Sequence, residues 1–181
     1  MALSTLRRLR SVLFEREIEI SMNNLNIREV TSKDEFGILS IRNHPDNYKW
    51  FFDNAPVSPE IHHKWFVERI STSRFFTLVA ELNGEVIGIA SLNDFRNLAP
   101  KISINISPEF SNKGVGGTLL RELIQRSRTA DIKFLTAEIL KTNLISFHFF
   151  LKNNFKLENV ETRVLNGEKS DVSVLSLKLS G

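Results

Sequence analysis

Runs of alternating apolar and polar residues predict about seven β-strands along this chain. The runs cover residues 25–30, 75–82, 86–92, 102–106, 134–140, 155–165 and 172–179. Asn83-Gly84 and Asn166-Gly167 each separate two of these runs, and Asn-Gly is typical of a two-residue hairpin turn. The pattern therefore predicts a sheet that contains two antiparallel hairpins.

Apolar residues at helical spacing predict about four helices between these strands. The first follows Thr31 and is interrupted at Asn43-His-Pro-Asp46, and the second begins at Ser58-Pro59 with the serine as its cap. A third runs to about Arg128, and a fourth covers residues 143–153. Helices and strands mixed in this order predict an α/β (α+β) domain.

The segment from Lys101 to Leu120 carries the strongest functional signal. Three alternating isoleucines predict a strand that ends at Pro108, because proline cannot donate to a sheet. Gly114, Gly116 and Gly117 then precede an amphipathic helix. Glycines allow close approach of a ligand, and a helix start offers unpaired N–H groups and a positive dipole end. The segment therefore predicts a phosphate-binding turn.

Two common nucleotide motifs fit this turn poorly. A P-loop needs Gly-Lys-Ser/Thr, but Lys113 precedes the glycines and Leu119 and Leu120 follow Thr118. A dinucleotide fingerprint needs a third glycine where Leu119 stands, directly after a strand. The P-loop interpretation fails on these residues, and the dinucleotide interpretation has weak support.

The segment Ser111-Asn-Lys-Gly114-Val-Gly116-Gly117 resembles the phosphate turn of the GNAT superfamily of acyl-CoA N-acyltransferases. Ser111 stands where that family usually has Arg or Gln. The order of predicted elements from about residue 24 to 179 is similar to the GNAT order. A second match begins at Asn143 and ends at Phe155, with Phe150 in place of the family tyrosine and Asn154 in place of a glycine.

The resemblance implies a mixed, mostly antiparallel sheet with a splayed central parallel pair, and acetyl-CoA as cosubstrate. It implies that the cofactor is held by the central strand, the turn and the last helix. The residues concerned are Ile104, Asn105, Ile106, Asn112, Lys113, Gly114, Val115, Gly116, Gly117, Thr118, Asn143 and Phe150. Since Phe150 has no hydroxyl, the step that protonates the leaving thiolate needs another donor.

The amine that accepts the acetyl group must lose a proton, so a base is expected. Candidate catalytic residues are His62, Asp94 and Glu138. Arg42-Asn43 and the segment Ser58 to Trp65 resemble a GNAT subgroup that acts on nucleotide-linked amino sugars. On that resemblance, Arg42, Asn43, His62 and Trp65 are candidate acceptor-binding residues. Alternative functions are acetylation of a protein N-terminus or of a small metabolite amine, and a non-catalytic acyl-CoA-binding module.

Composition narrows the remaining possibilities. With 181 residues and no long apolar run, the chain is expected to be one cytoplasmic domain rather than a membrane protein. The absence of cysteine excludes disulfides and cysteine-based zinc sites, and no metal is expected. A net charge of +3 is too small to indicate nucleic acid. A homodimer is left open.

The first 21 residues differ from the rest of the chain. Leu3, Leu6, Leu9 and Leu13 alternate with arginines, as in a transit peptide or a short surface helix. Because Glu15, Glu17 and Glu19 follow at once, we expect residues 1–21 to be an N-terminal extension and residues 22–181 to be the acetyltransferase domain.

Overall fold

The computed structural model describes residues 24–179, so the expected extension at residues 1–21 lies outside the described residues. One seven-stranded sheet has the order β1-β2-β3-β4-β5-β7-β6. The strands are β1 (Asn26–Glu29), β2 (Phe75–Leu82), β3 (Glu85–Asn93), β4 (Lys101–Ile106), β5 (Phe134–Leu140), β6 (Lys156–Leu165) and β7 (Glu168–Lys178). Among these strands, only β4 and β5 pair in parallel. The expected mixed, mostly antiparallel sheet is confirmed.

Five α-helices accompany the sheet in the described part of the chain. They are α1 (Glu35–Asn43), α2 (Pro45–Tyr48), α3 (Pro59–Ser71), α4 (Val115–Thr129) and α5 (Leu144–Lys152). The Ser58 side chain caps α3, with Pro59 at its first turn, and Asn143 caps α5. The short α2 was not predicted, because His44-Pro45 was interpreted only as a helix end; the same proline also starts a new turn.

The helices cover the two faces of the sheet unequally. On one face, α4 and α5 enclose the main core, which includes Leu119, Leu123 and Phe150. On the other face, α1 and α3 pack Ile38 and Phe66 against β2 and β3 in a smaller core. No helix within residues 24–179 is long and apolar enough to cross a membrane.

A partly buried ion cluster, with Asp34 at its buried end, fixes the first strand to the first helix. The Arg28 guanidinium donates to both Asp34 carboxylate oxygens at 2.8 Å and to Glu81 on β2. Asp34 is 3% exposed and also accepts the backbone N–H of Thr31 at 2.6 Å. Burial acts to raise the pKa of Asp34, but the hydrogen bonds from Arg28 and Thr31 outweigh it and lower the pKa.

The Asp34 carboxylate should make stability depend on acid pH. A depressed folded-state pKa stabilises the fold above the unfolded pKa, near 3.9, and this contribution disappears as pH falls through the folded pKa. We expect Asp34→Asn to lower the free energy of unfolding by roughly 3 kcal/mol at pH 7, since it removes the main partner of Arg28. The difference from wild type should shrink below about pH 4 in urea titrations. Asp131→Asn, on an exposed turn, is the control. A pH-independent difference contradicts the account.

Candidate active site

The central strands β4 and β5 meet at one point and then separate. Lys101 lies opposite Thr136, and the N–H of Thr136 donates to the Pro100 carbonyl at 3.1 Å. This is the one register pair between the two strands, and both continue beyond it. The parallel pair therefore opens toward its carboxyl ends and leaves a gap in the sheet.

On β4, hydrogen-bond alternation shows which backbone groups face the gap. The N–H of Ser107 donates to the Ile87 carbonyl at 2.8 Å, so odd-numbered residues of β4 bond to β3. The N–H and C=O groups of Ile104 and Ile106 consequently point away from β3, toward β5. Asn105 pairs its backbone with β3, so only its side chain can reach a ligand.

The same argument applies to β5 on the far side of the gap. Lys141 donates its N–H to the Asp171 carbonyl at 2.9 Å, so odd-numbered residues of β5 bond to β7. The backbone groups of Glu138 and Leu140 therefore face β4. The Leu140 carbonyl accepts the N–H of Asn143 at 2.8 Å. The gap is thus lined on both sides by backbone groups that an extended ligand with amide groups can pair with.

The glycine turn begins α4 just beyond the carboxyl end of β4. Asn112 and Gly114 adopt positive φ angles of 62° and 85°, which turn the chain into the helix. The Val115 side chain is buried in the main core, so its backbone N–H is held at the helix start. Gly116 has Phe149 and Ile106 near its missing Cβ at 3.5 and 3.7 Å, whereas Gly117 has only Arg121 nearby.

Charges around this helix start favour an anion. The first turn of α4 contains no acidic residue. Arg121 folds back to donate to the Thr118 hydroxyl at 2.9 Å, and the Lys113 ammonium lies 5.3 Å from the centre of the Phe110 ring. The first N–H groups of a helix have no partner within it, and its dipole is positive at this end. The turn is therefore suited to hold a pyrophosphate.

Asn143 and Phe150, the two predicted cofactor residues at α5, have different surroundings. The Asn143 side-chain oxygen accepts the N–H of Ser146 at 3.1 Å, so it caps the helix. Phe150 is 4% exposed and packs edge-to-face against Phe155 with ring centres 4.9 Å apart. Its position is that of a core residue.

Arg42 and Asn43, predicted to bind the acceptor, both contact the loop of residues 44–57. Asn43 donates to the Val57 carbonyl at 2.8 Å and accepts the Val57 N–H at 2.9 Å. The Arg42 guanidinium donates to Asp53 at 2.6 Å and lies 3.8 Å from the centre of the Phe51 ring. These contacts close the loop upon itself.

Asn47 is a residue that sequence analysis missed. Its amide nitrogen donates to the Ile41 carbonyl at 2.8 Å and to the Ile106 carbonyl at 3.0 Å. The second bond occupies one of the backbone groups at the gap and ties the loop of residues 44–57 to β4. Its sequence context, after His44-Pro45, marks a helix boundary but gives no sign of this distant partner.

Glu138 lies at the gap, on the face of the sheet away from α4 and α5. Its carboxylate accepts two hydrogen bonds from Arg163, at 2.9 and 3.1 Å, and lies 2.7 Å from the Lys101 ammonium. Hydrogen bonds from Arg163 and then Lys101 outweigh burial and lower the pKa of Glu138. The carboxylate is therefore ionised at neutral pH.

The other two candidate bases lie elsewhere. His62 is 3% exposed, with Nε2 3.2 Å from the Glu35 carbonyl, and burial lowers the pKa of its ring. Its ring packs 5.2 Å from that of Trp65. Asp94 directly follows β3, at the end where Asn93 pairs with Lys101. Its carboxylate accepts a hydrogen bond from Arg74 at 2.7 Å. This end of β3 lies roughly 16 Å from Ile106, because the length of β4 separates the two. The structure does not bring the three candidates together.

Comparison with known proteins identifies the fold. The model of the acetyltransferase (GNAT) family matches residues 39–155, well over half of the chain. The chain is 27% identical over 165 residues to the L-amino acid N-acyltransferase MnaT of Escherichia coli, covering 86% of this chain and 94% of that protein. It is 22% identical over 151 residues to a spermidine N(1)-acetyltransferase of Thermoplasma acidophilum, covering 76% and 92%.

Solved structures agree with this match. The structure of yncA from Salmonella typhimurium with its cofactor acetyl-CoA superposes with a TM-score of 0.75 at 25% identity, covering 87% of this chain and 95% of that one. The splayed parallel pair and the glycine turn are thus found in a chain whose family and neighbours use acetyl-CoA. The chain belongs to the acetyltransferase (GNAT) family and is an N-acetyltransferase with acetyl-CoA as its cosubstrate.

Proposed function

We propose that this enzyme transfers the acetyl group of acetyl-CoA directly to a primary amine of a small molecule, in a complex that holds both substrates. The main support for the proposal is the gap between β4 and β5. This gap connects the two faces of the sheet, which carry different residues. The glycine turn and α5 lie on one face, and Glu138 with the loop of residues 44–57 lies on the other. Holding the reactants together contributes roughly 7–11 kcal/mol in favourable cases.

The cosubstrate is proposed to lie with its pyrophosphate on the turn of residues 112–118. Its pantetheine amides would pair with the backbone of Ile104 and the N–H of Ile106, and the Asn143 side chain would complete the contact. The Asn105 side chain lies on the opposite face of the sheet, with Glu138. Bound acetyl-CoA supplies the thioester that the amine attacks. A backbone N–H at the gap would stabilise negative charge on the thioester oxygen.

Gly117 gives a test that separates CoA binding from folding. It is the third residue of α4, and an acidic side chain there favours the helix dipole but repels a pyrophosphate. We expect Gly117→Asp to keep or raise the melting temperature while weakening CoA binding at least tenfold by calorimetry. Gly117→Ala, which adds no charge, should bind CoA within a few-fold of wild type.

Equal affinity for CoA in Gly117→Asp and Gly117→Ala would refute the proposed phosphate site. A melting temperature lowered in both variants would report helix damage instead, so melting is measured in the same samples.

On the acceptor side, we propose that Glu138 attracts and orients the substrate ammonium, which loses its proton to water. The carboxylate is held by Arg163 and Lys101 and is ionised well below the pH at which an amine loses its proton. Its lowered pKa makes it a weak base, so its main effect is to orient the amine. Phe150 has no acidic hydroxyl, so the leaving thiolate is proposed to take its proton from water.

Glu138→Gln tests this role. We expect the KM for the amine to rise and kcat/KM to fall about tenfold or more, because the orienting charge is lost. The increase of rate with pH between about 7 and 9 should remain, since it reflects the amine rather than Glu138. Glu158→Gln, on exposed β6, is the matched control. Loss of the alkaline increase in Glu138→Gln would show that this carboxylate itself titrates in the mechanism.

The acceptor is proposed to be a small amine rather than a nucleotide-linked sugar. Arg42 is engaged by Asp53 and Phe51, Asn43 by Val57, and His62 is buried. These contacts occupy polar groups of Arg42 and Asn43 and bury His62, so fewer polar groups are available to bind a nucleotide. The names of the relatives, an L-amino acid N-acyltransferase and a spermidine acetyltransferase, support the same choice.

A panel of acceptors tests the choice directly. Release of free CoA is measured with L-amino acids, L-methionine sulfoximine, polyamines, amino-sugar nucleotides and an N-terminal peptide. We expect turnover with an amino acid or polyamine and at least a hundredfold lower kcat/KM with amino-sugar nucleotides. The reverse order would restore the sugar hypothesis, and CoA binding without turnover on any acceptor would favour a non-catalytic module.

A further inference from the structure

Arg69 on α3 carries a largely buried guanidinium that no carboxylate of the described residues contacts. Its Nη2 donates to the Asn93 side-chain oxygen at 2.6 Å, whereas its Nε and Nη1 are buried and have no hydrogen-bond partner within residues 24–179. The neighbouring acids Glu68 and Asp94 contact Arg74 instead, at 3.8 and 2.7 Å. Burial lowers the pKa of Arg69 to about 10, so the side chain still carries its charge at neutral pH.

Two aromatic rings hold this guanidinium in place. Its central carbon lies 4.3 Å from the centre of the Trp65 ring and 4.6 Å from that of the Phe75 ring. The face of an aromatic ring attracts a cation but offers no oxygen to the two free N–H groups. A buried donor without an acceptor destabilises the fold. Residues that lower stability in this way are common where a protein binds a ligand.

Arg69 lies on the acceptor side of the sheet. Its partner Asn93 pairs with Phe75 on one neighbouring strand and with Lys101 on the other, so the three side chains share one face of the sheet. The Lys101 ammonium lies 2.7 Å from the Glu138 carboxylate, which places Glu138 on that face too. Adjacent polar side chains therefore connect the guanidinium with the proposed acceptor site.

Strand geometry gives the distance from Arg69 to the reacting atoms. Ile104, whose backbone faces the gap, is three residues beyond Lys101 and about 10 Å from it along β4. A hydrogen bond to the guanidinium takes up about 3 Å of this distance. The remaining distance between a reacting amine and a group bound at Arg69 is about 7 Å, the length of two extended residues.

We propose, building on the proposed function, that Arg69 binds an anionic group of the acceptor, a carboxylate or a phosphate, about 7 Å from the amine that is acetylated. The guanidinium fork fits either group with two hydrogen bonds. Because Nε and Nη1 are covered, the anion reaches them when the Trp65 ring, which is 37% exposed, turns aside. A polyamine would instead bring a second ammonium toward Arg69 and be repelled.

Matched acceptors test the anionic group. The chain of ε-aminocaproate has about the required length, and its amide, ε-aminocaproamide, differs from it only by lacking the charge. We expect kcat/KM to be at least tenfold higher for the carboxylate than for the amide, and lowest for hexamethylenediamine. Aminopentyl phosphate distinguishes the two kinds of anion, because a higher kcat/KM than that of ε-aminocaproate would identify a phosphate and a lower one a carboxylate.

Arg69→Met separates a binding role from a structural one. Methionine fills the space between Trp65 and Phe75 and removes the unpaired donors, so the melting temperature should stay the same or rise. The KM for ε-aminocaproate should rise at least tenfold, whereas the KM for its amide should stay within a few-fold of wild type. Arg128→Met removes an exposed arginine of α4 and should leave both KM values unchanged.

Binding is also measured without turnover. The acetylated product of ε-aminocaproate should bind the enzyme–CoA complex in calorimetry, and Arg69→Met should weaken this binding at least tenfold. Equal use of carboxylate and amide by wild type, or unchanged product affinity in Arg69→Met, would overturn the anion site. If Arg69→Met melts early, the two acceptors compared on wild type decide. Product binding that depends on Arg69, without acetylation of any amine, would refute the proposed function and support the anion site.

Discussion

The candidate active site depends on backbone N–H and C=O groups that the sheet itself does not pair. Two parallel strands that meet at Lys101 and Thr136 and then separate leave N–H and C=O groups of Ile104 and Glu138 without sheet partners. Such groups need a partner, because leaving them buried and unpaired is costly. The main core holds β4 from one face and the loop of residues 44–57 holds its end from the other. The protein therefore keeps a gap that an amide-bearing ligand fills.

Much of the fold was predictable because its local signals agree. Asn83-Gly84, Asn166-Gly167, Ser58-Pro59 and Asn143 each specify a turn or a cap from a few neighbouring residues, and all are found in those roles. The glycine turn was recognisable for the same reason. The family and its cosubstrate follow from the match over residues 39–155, which includes this turn.

The acceptor side was less predictable because its contacts join distant segments. Asn47 meets Ile106, and Arg163 meets Glu138, across long stretches of sequence. Arg42 and Asn43 show a second difficulty. The sequence cannot distinguish polar residues that close a loop from polar residues that bind a ligand. Only the register of the strands and the path of the loop distinguish the two uses.

The Asn47 amide bridges Ile41 and Ile106, so the loop on the acceptor side and the strand at the gap form one mechanical unit. Both hydrogen bonds of Asn47 must break before this loop can move as an independent lid. Under the proposed function, the amine enters a cleft whose width is set before it arrives. New acceptors would be accommodated during evolution by exchanging side chains along the loop, while its anchors at Asn43, Asn47 and Val57 stay in place.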